Sequence, residues 1–162
     1  MGLEASARHE DGWADDAAGR YRLMRAPDPQ AALARAVELC ARHEAFAARR
    51  FGEWSRVLIG QVNRGQYRFA VHRGSGRAAG FVGWFRTGEE CAERWLAGEA
   101  AAPDPAGGCI VLNALVAEAP GVLAAILAAA PALEPGPYAL YARRSYPGGR
   151  TRPVRLRVSA RR

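Results

Sequence analysis

Three segments decide the fold: Gln66-Tyr67-Arg68-Phe69-Ala70-Val71-His72, then Ala79-Gly80-Phe81-Val82-Gly83-Trp84-Phe85-Arg86, then Cys109-Ile110-Val111-Leu112-Asn113-Ala114-Leu115-Val116. The first alternates, with Tyr67, Phe69 and Val71 on one face, as a half-buried strand does. Arg73-Gly74-Ser75-Gly76-Arg77 is a hairpin loop, and the second segment is the returning strand. Its near-continuous apolar run predicts a central place in a sheet. The third is apolar enough to be buried on both faces, yet it carries one polar residue. Burying an amide costs a few kcal/mol unless it is hydrogen-bonded, so Asn113 is either a structural tie or part of a reactive centre.

Helices are predicted on both sides of these strands. Asp28-Pro29 is a strong start, an N-cap followed by proline at the first helical position. Ala32, Ala36, Val37, Leu39 and Cys40 then recur at helical spacing, and the helix is expected to run to about Ala48. Phe51, Trp54, Leu58 and Val62 mark a second helix that Gly65 ends. Thr87-Gly88-Glu89-Glu90 has the form of a capping box for a third, ending near Gly98. A loop over 99–108 precedes the third strand, and a small-residue helix over 121–130 follows it. Two closing strands are expected over 138–143 and 153–159, the last with Val154, Leu156 and Val158 inward. Residues 1–22 show little periodicity and read as a flexible N-terminal tail, leaving 23–162 as one domain. The order of elements gives an α/β (α+β) layer with one mixed, mostly antiparallel central sheet flanked by helices.

Composition narrows the chemistry. At 162 residues with 49% hydrophobic content, the chain can bury a core without staples. Its net charge is +7, and every cation is arginine, the better fork for carboxylates and phosphates. An acidic partner is therefore expected: a carrier protein, an anionic membrane surface or nucleic acid. Nucleic acid is disfavoured, because no RNP, KH, helix-turn-helix or finger motif is present and the aromatics fall mostly on inward positions. Cys40, Cys91 and Cys109 lie far apart without a CxxC or Cys/His cluster, which argues against a metal site. Three cysteines and no signal peptide predict a reducing cytoplasm. The apolar region over 107–133 is interrupted by Asn113, Glu118 and Ala119-Pro120-Gly121, so no transmembrane segment is expected. No GxGxxG follows a strand and no Walker loop occurs, so no bound cofactor is expected.

Val62-Asn63-Arg64-Gly65-Gln66-Tyr67, Gly80-Phe81-Val82-Gly83-Trp84, Trp95-Leu96-Ala97-Gly98 and Cys109 through Val116, in that order and spacing, resemble the toxin-activating lysine acyltransferases that modify RTX toxins. The resemblance implies a GNAT-like fold without the usual acetyl-CoA loop, and a homodimer. It implies a protein-lysine fatty acyltransferase that takes its acyl group from acyl carrier protein. The family's histidine, a base or acyl acceptor, falls at Phe46 by ungapped counting from Gln66, with His43 three residues earlier. The family's aspartate falls on Asn113. His43 and Asn113 are thus the implied catalytic pair, an imidazole taking the lysine proton and an amide orienting it. The alternative is a degenerate, non-catalytic member that binds an acyl chain, a carrier or a protein partner.

Overall fold

The computed structural model describes residues 19–145 and 148–159. Six strands form one sheet: β1 (Tyr21–Met24), β2 (Tyr67–His72), β3 (Ala78–Thr87), β4 (Cys109–Ala117), β5 (Tyr138–Ser145) and β6 (Thr151–Val158). They lie in sequence order, and every neighbouring pair is antiparallel except β4 and β5, which are parallel. The helices are α1 (Pro29–Arg42), α2 (Glu44–Ala47), α3 (Phe51–Arg64), α4 (Glu89–Leu96) and α5 (Pro120–Ala128), followed by a 3-10 turn over Ala130–Ala132. The mixed, mostly antiparallel sheet flanked by helices agrees with the expected class.

The core is divided by the sheet. On one face, α1, α2 and α3 cover Tyr67, Phe69, Val71, Phe81, Ala114 and Val116. Beside them α4 covers Phe85, Cys109, Val111 and Tyr141. On the opposite face α5 packs on Val82, Trp84, Ile110, Leu112 and Leu140. β3 has both faces covered, and Phe81, Val82 and Trp84 are fully buried, as its continuous apolar run requires.

Local chemistry explains the element ends. Asp28 accepts from the Ala31 backbone N–H at 2.9 Å, and Pro29 opens α1. Gly65 ends α3 at φ 66°, a left-handed turn that glycine adopts without a Cβ clash.

Four expectations need correction. The sheet starts earlier than the tail boundary at residue 22 allows: Tyr21 and Arg22 pair with His72 and Val71 as part of β1, while residues 1–18 lie outside the described ones. The first helix stops at Arg42, because His43 is extended at φ −94° and ψ 123°, and α2 starts afresh. Thr87 does not cap α4. It pairs with Cys109 as the last residue of β3 and donates its hydroxyl to the Ala102 carbonyl, leaving Gly88 as the N-cap. Leu156 is 45% exposed, because β6 is an edge strand that no helix fully covers.

Candidate functional site

The site is built from an interruption in the sheet. β4 and β5 pair only from Cys109↔Ala139 to Leu112↔Ala142. Beyond that β4 stays with β3 as far as Ala117, and β5 stays with β6 as far as Ser145. The two parallel strands therefore part at their carboxyl ends and leave a wedge, the kind of crevice in which open sheets bind ligands.

Asn113 stands at its root. The β3 register steps from Gly83↔Ala114 to Trp84↔Leu112, so Asn113 is the extra residue of a β-bulge. It has no partner in the register of either neighbouring strand. The bulge also shifts the side-chain phase of β4: Cys109 and Val111 face the α4 cluster before it, and Ala114 and Val116 face the α1–α3 cluster after it. A regular strand would have sent Ala114 and Val116 to the α5 side.

A tie across the helix layer holds the bulge. Gln61 in α3 is fully buried, and its Nε2 donates to Asn113 Oδ1 at 2.5 Å. The Gln61 amide lies on Gly83, where an added Cβ would fall 2.1 Å from its Oε1. Only a glycine between Phe81 and Phe85 lets the glutamine reach the bulge.

Among the described residues, three buried side-chain polar atoms lack a hydrogen-bond partner: His43 Nδ1, Gln61 Oε1 and Arg143 Nε. His43 lies at the junction of α1 and α2. Its ring meets Phe46 edge-on with centroids 6.2 Å apart, and Phe46 meets Trp54 in the same way. The adjoining Arg42 reaches Glu118, just past the end of β4, at 3.1 Å, which fixes this junction near the carboxyl end of β4. Arg143 lies one residue past the last β4–β5 pair. Its guanidinium covers the Trp95 ring of α4 at 4.1 Å. Burial first, and the neighbouring Arg49 second, lower its pKa. Arg49 lies over the Phe46 ring at 5.9 Å.

The structure thus brings His43 and Asn113 to the same side of the sheet but gives them different partners. The Asn113 amide oxygen is taken by Gln61, and the His43 ring packs on Phe46. Phe46, the ungapped position of the family's histidine, is a core residue at 8% exposure. Sequence reasoning missed Gln61 and Arg143. Gln61 could have been found, since it lies seven residues after Trp54 and three after Leu58, in the apolar phase of α3. Arg143 alternates with Ala139 and Tyr141 and so shares their helix-covered face. His72 is engaged elsewhere, its Nδ1 accepting from the Ser75 backbone N–H at 3.1 Å.

The loop from β4 to α5 reads Ala117-Glu118-Ala119-Pro120 and contains no glycine. Glu118 pairs with Arg42 and with Arg77 at 3.1 and 2.8 Å. Two guanidiniums thus offset the one carboxylate ahead of the α5 N-terminus. Among the described residues no group of three His, Cys, Asp or Glu side chains is placed to hold a metal ion, and no helix is long and apolar enough to cross a membrane.

No family model and no curated protein matches the chain. Among solved structures it is similar to the GphF GNAT-like decarboxylase in complex with isobutyryl-CoA, with a TM-score of 0.53 and 24% sequence identity over 78% of this chain and 67% of that one. The likeness establishes the fold as GNAT-like.

Proposed function

We propose that the wedge holds an acyl thioester and that the protein transfers a fatty acyl group from acyl carrier protein to a lysine of a protein target. The observation that carries this reading is the parting of β4 from β5 at the Asn113 bulge, beside three buried polar atoms without partners. The thioester-bound ligand named for the GNAT-like neighbour supports acyl-group chemistry. The order of motifs shared with the toxin-activating acyltransferases supports lysine as acceptor.

In this reading the lysine amine attacks the thioester carbonyl carbon. The N–C bond forms as the C–S bond breaks, and the carrier's thiol leaves with a proton. His43 takes the proton that the amine loses and returns it to the departing thiolate; its Nδ1 has no hydrogen-bond partner. Asn113 acts through its bulged backbone, whose polar groups face the thioester, while its side-chain amide oxygen is held by Gln61. The resemblance to the toxin-activating acyltransferases supports a carrier protein as the donor. The net charge of +7 favours an acidic carrier.

The Gln61–Asn113 bond supports a second reading, a non-catalytic acyl or carrier binder, since it diverts the amide from His43. Incubation with hexadecanoyl-loaded acyl carrier protein and a lysine-containing peptide, read by intact mass, separates the two. Transfer predicts one acyl increment on the peptide, abolished by His43→Ala. Carrier binding without any mass gain establishes the binder instead.

A further inference from the structure

The acyl-transfer reading leaves the guanidinium pair beside the wedge without a role. Arg143 projects from β5 at the level of Asn113, and Arg49 sits in the α2–α3 connection; Arg49 is the neighbouring charge that acts on Arg143. Neither takes part in an ion pair among the described residues, whose pairs join Arg42, Arg77, Arg86 and Arg155 to glutamates. Two cations held near each other without a carboxylate repel, and the partial burial of Arg143 adds to the cost, while Arg49 is exposed. Arg143 is also prepared for a planar partner. Trp95 covers one face of its guanidinium at 4.1 Å, and its buried Nε–H has no acceptor. A guanidinium without a carboxylate partner matches one in bidentate geometry.

We propose that Arg143 and Arg49 form a carboxylate subsite that selects acceptor lysines with an acidic residue nearby in the target protein. The inference rests on the transfer reading for the acceptor's identity. His43 and Arg49 flank the same Phe46 ring, so a chain that presents its lysine to His43 runs past the arginine pair. In an extended segment, residues two apart point the same way and lie roughly 7 Å from each other. An aspartate or glutamate two positions from the lysine therefore meets the pair, whereas its immediate neighbours point away.

The test uses two peptides, acetyl-Ala-Asp-Ala-Lys-Ala-amide and its Asn counterpart, with two independent readouts. In acylation by hexadecanoyl-loaded carrier protein, the Asp peptide is expected to show about tenfold higher kcat/KM, carried by KM, as suits a charge-assisted hydrogen bond. Arg143→Gln brings the ratio near one, and Arg143→Lys, which keeps the charge but loses the fork, recovers only part of it. The second readout needs no donor: the Arg143 Nε–H resonance, assigned by its loss in Arg143→Gln, shifts on titration with the Asp peptide and not with the Asn peptide. If neither peptide is acylated but the resonance shifts selectively, the subsite stands and the transfer reading fails. If both are acylated equally with no selective shift, the subsite is overturned and transfer stands. Succinyl-pantetheine is the third arm. A shift with it and none with the Asp peptide places the carboxylate on the acyl donor and overturns the acceptor assignment.

Discussion

Asn113, Gln61 and Gly83 form a single three-part device at the residue scale. The bulge needs Asn113, its amide needs Gln61, and Gln61 needs the space that Gly83 leaves. A methyl group at position 83 would lie 2.1 Å from the Gln61 amide oxygen, and Gln61 is fully enclosed, so the clash cannot be relieved by moving into solvent. Gly83→Ala should cost about 2 kcal/mol of stability, in the range of overpacked cores. On a Gln61→Ala background the same change should cost much less, because the amide it strikes is gone. Denaturant unfolding of the four proteins in this cycle gives the coupling directly, and additive costs would show that the glycine is not there for the glutamine. Only Asn113 of the three stands out in the sequence, as a lone amide in an apolar strand. Its partner is 52 positions earlier, and a bulge adds a residue without leaving a mark in composition. Periodicity assumes a regular ladder, so it cannot locate the point where the ladder slips.

The elements were most legible where local chemistry alone sets them. Asp28-Pro29 predicts the start of α1, and the side-chain cap at Ala31 is there. Asp28→Ala should lower stability by about 1 kcal/mol and Asp28→Ser should largely preserve it. A lower denaturant midpoint at unchanged m-value for the alanine variant alone is the expected result, and equal loss in both would exclude the cap as the cause. Elements whose existence depends on a distant partner were less legible. The four residues of β1 follow a segment without periodicity, and only the open edge of β2 makes them a strand. Thr87 followed by Glu90 has the spacing of a capping box, but pairing with Cys109 extends β3 through it and sends its hydroxyl to Ala102. Tertiary pairing outweighed a local signal worth about 1 kcal/mol. In β6, alternation of Val154, Leu156 and Val158 gave the right face but not the depth, since burial at a sheet edge depends on the reach of α5.

For the whole molecule, the sheet separates two cores, and each contains a titratable group that can report on it. Cys40 packs in the α1–α3 layer and Tyr138 in the α5 layer. Desolvation by burial pushes both side chains up to about 12, and the Tyr138 hydroxyl donates to the Ala130 carbonyl. In the unfolded chain these groups lose their protons at lower pH than in the folded protein. Below the unfolded pKa values the folded state therefore keeps its full advantage. As pH rises from about 9 for the thiol and 10 for the phenol towards the folded values, the unfolded state holds fewer protons and stability falls. The slope approaches about 1.4 kcal/mol per pH unit for each group fully engaged. Burial raises Cys109 and Tyr141 as well, so the unmodified protein should fall more steeply than either group alone requires. The absence of lysine makes this decline easier to interpret, because all 23 Lys and Arg residues are arginines and no ammonium group discharges over this range. A lysine-rich protein would change its own repulsion over the same interval. Stability measured by urea unfolding between pH 8 and about 11 should hold level and then drop. Cys40→Ala should reduce the slope from its onset, and Tyr138→Phe should reduce it only above about pH 10. A profile unchanged by both substitutions would mean that neither layer excludes water from its reporter, and with that the two-core arrangement around the wedge would have to be redrawn.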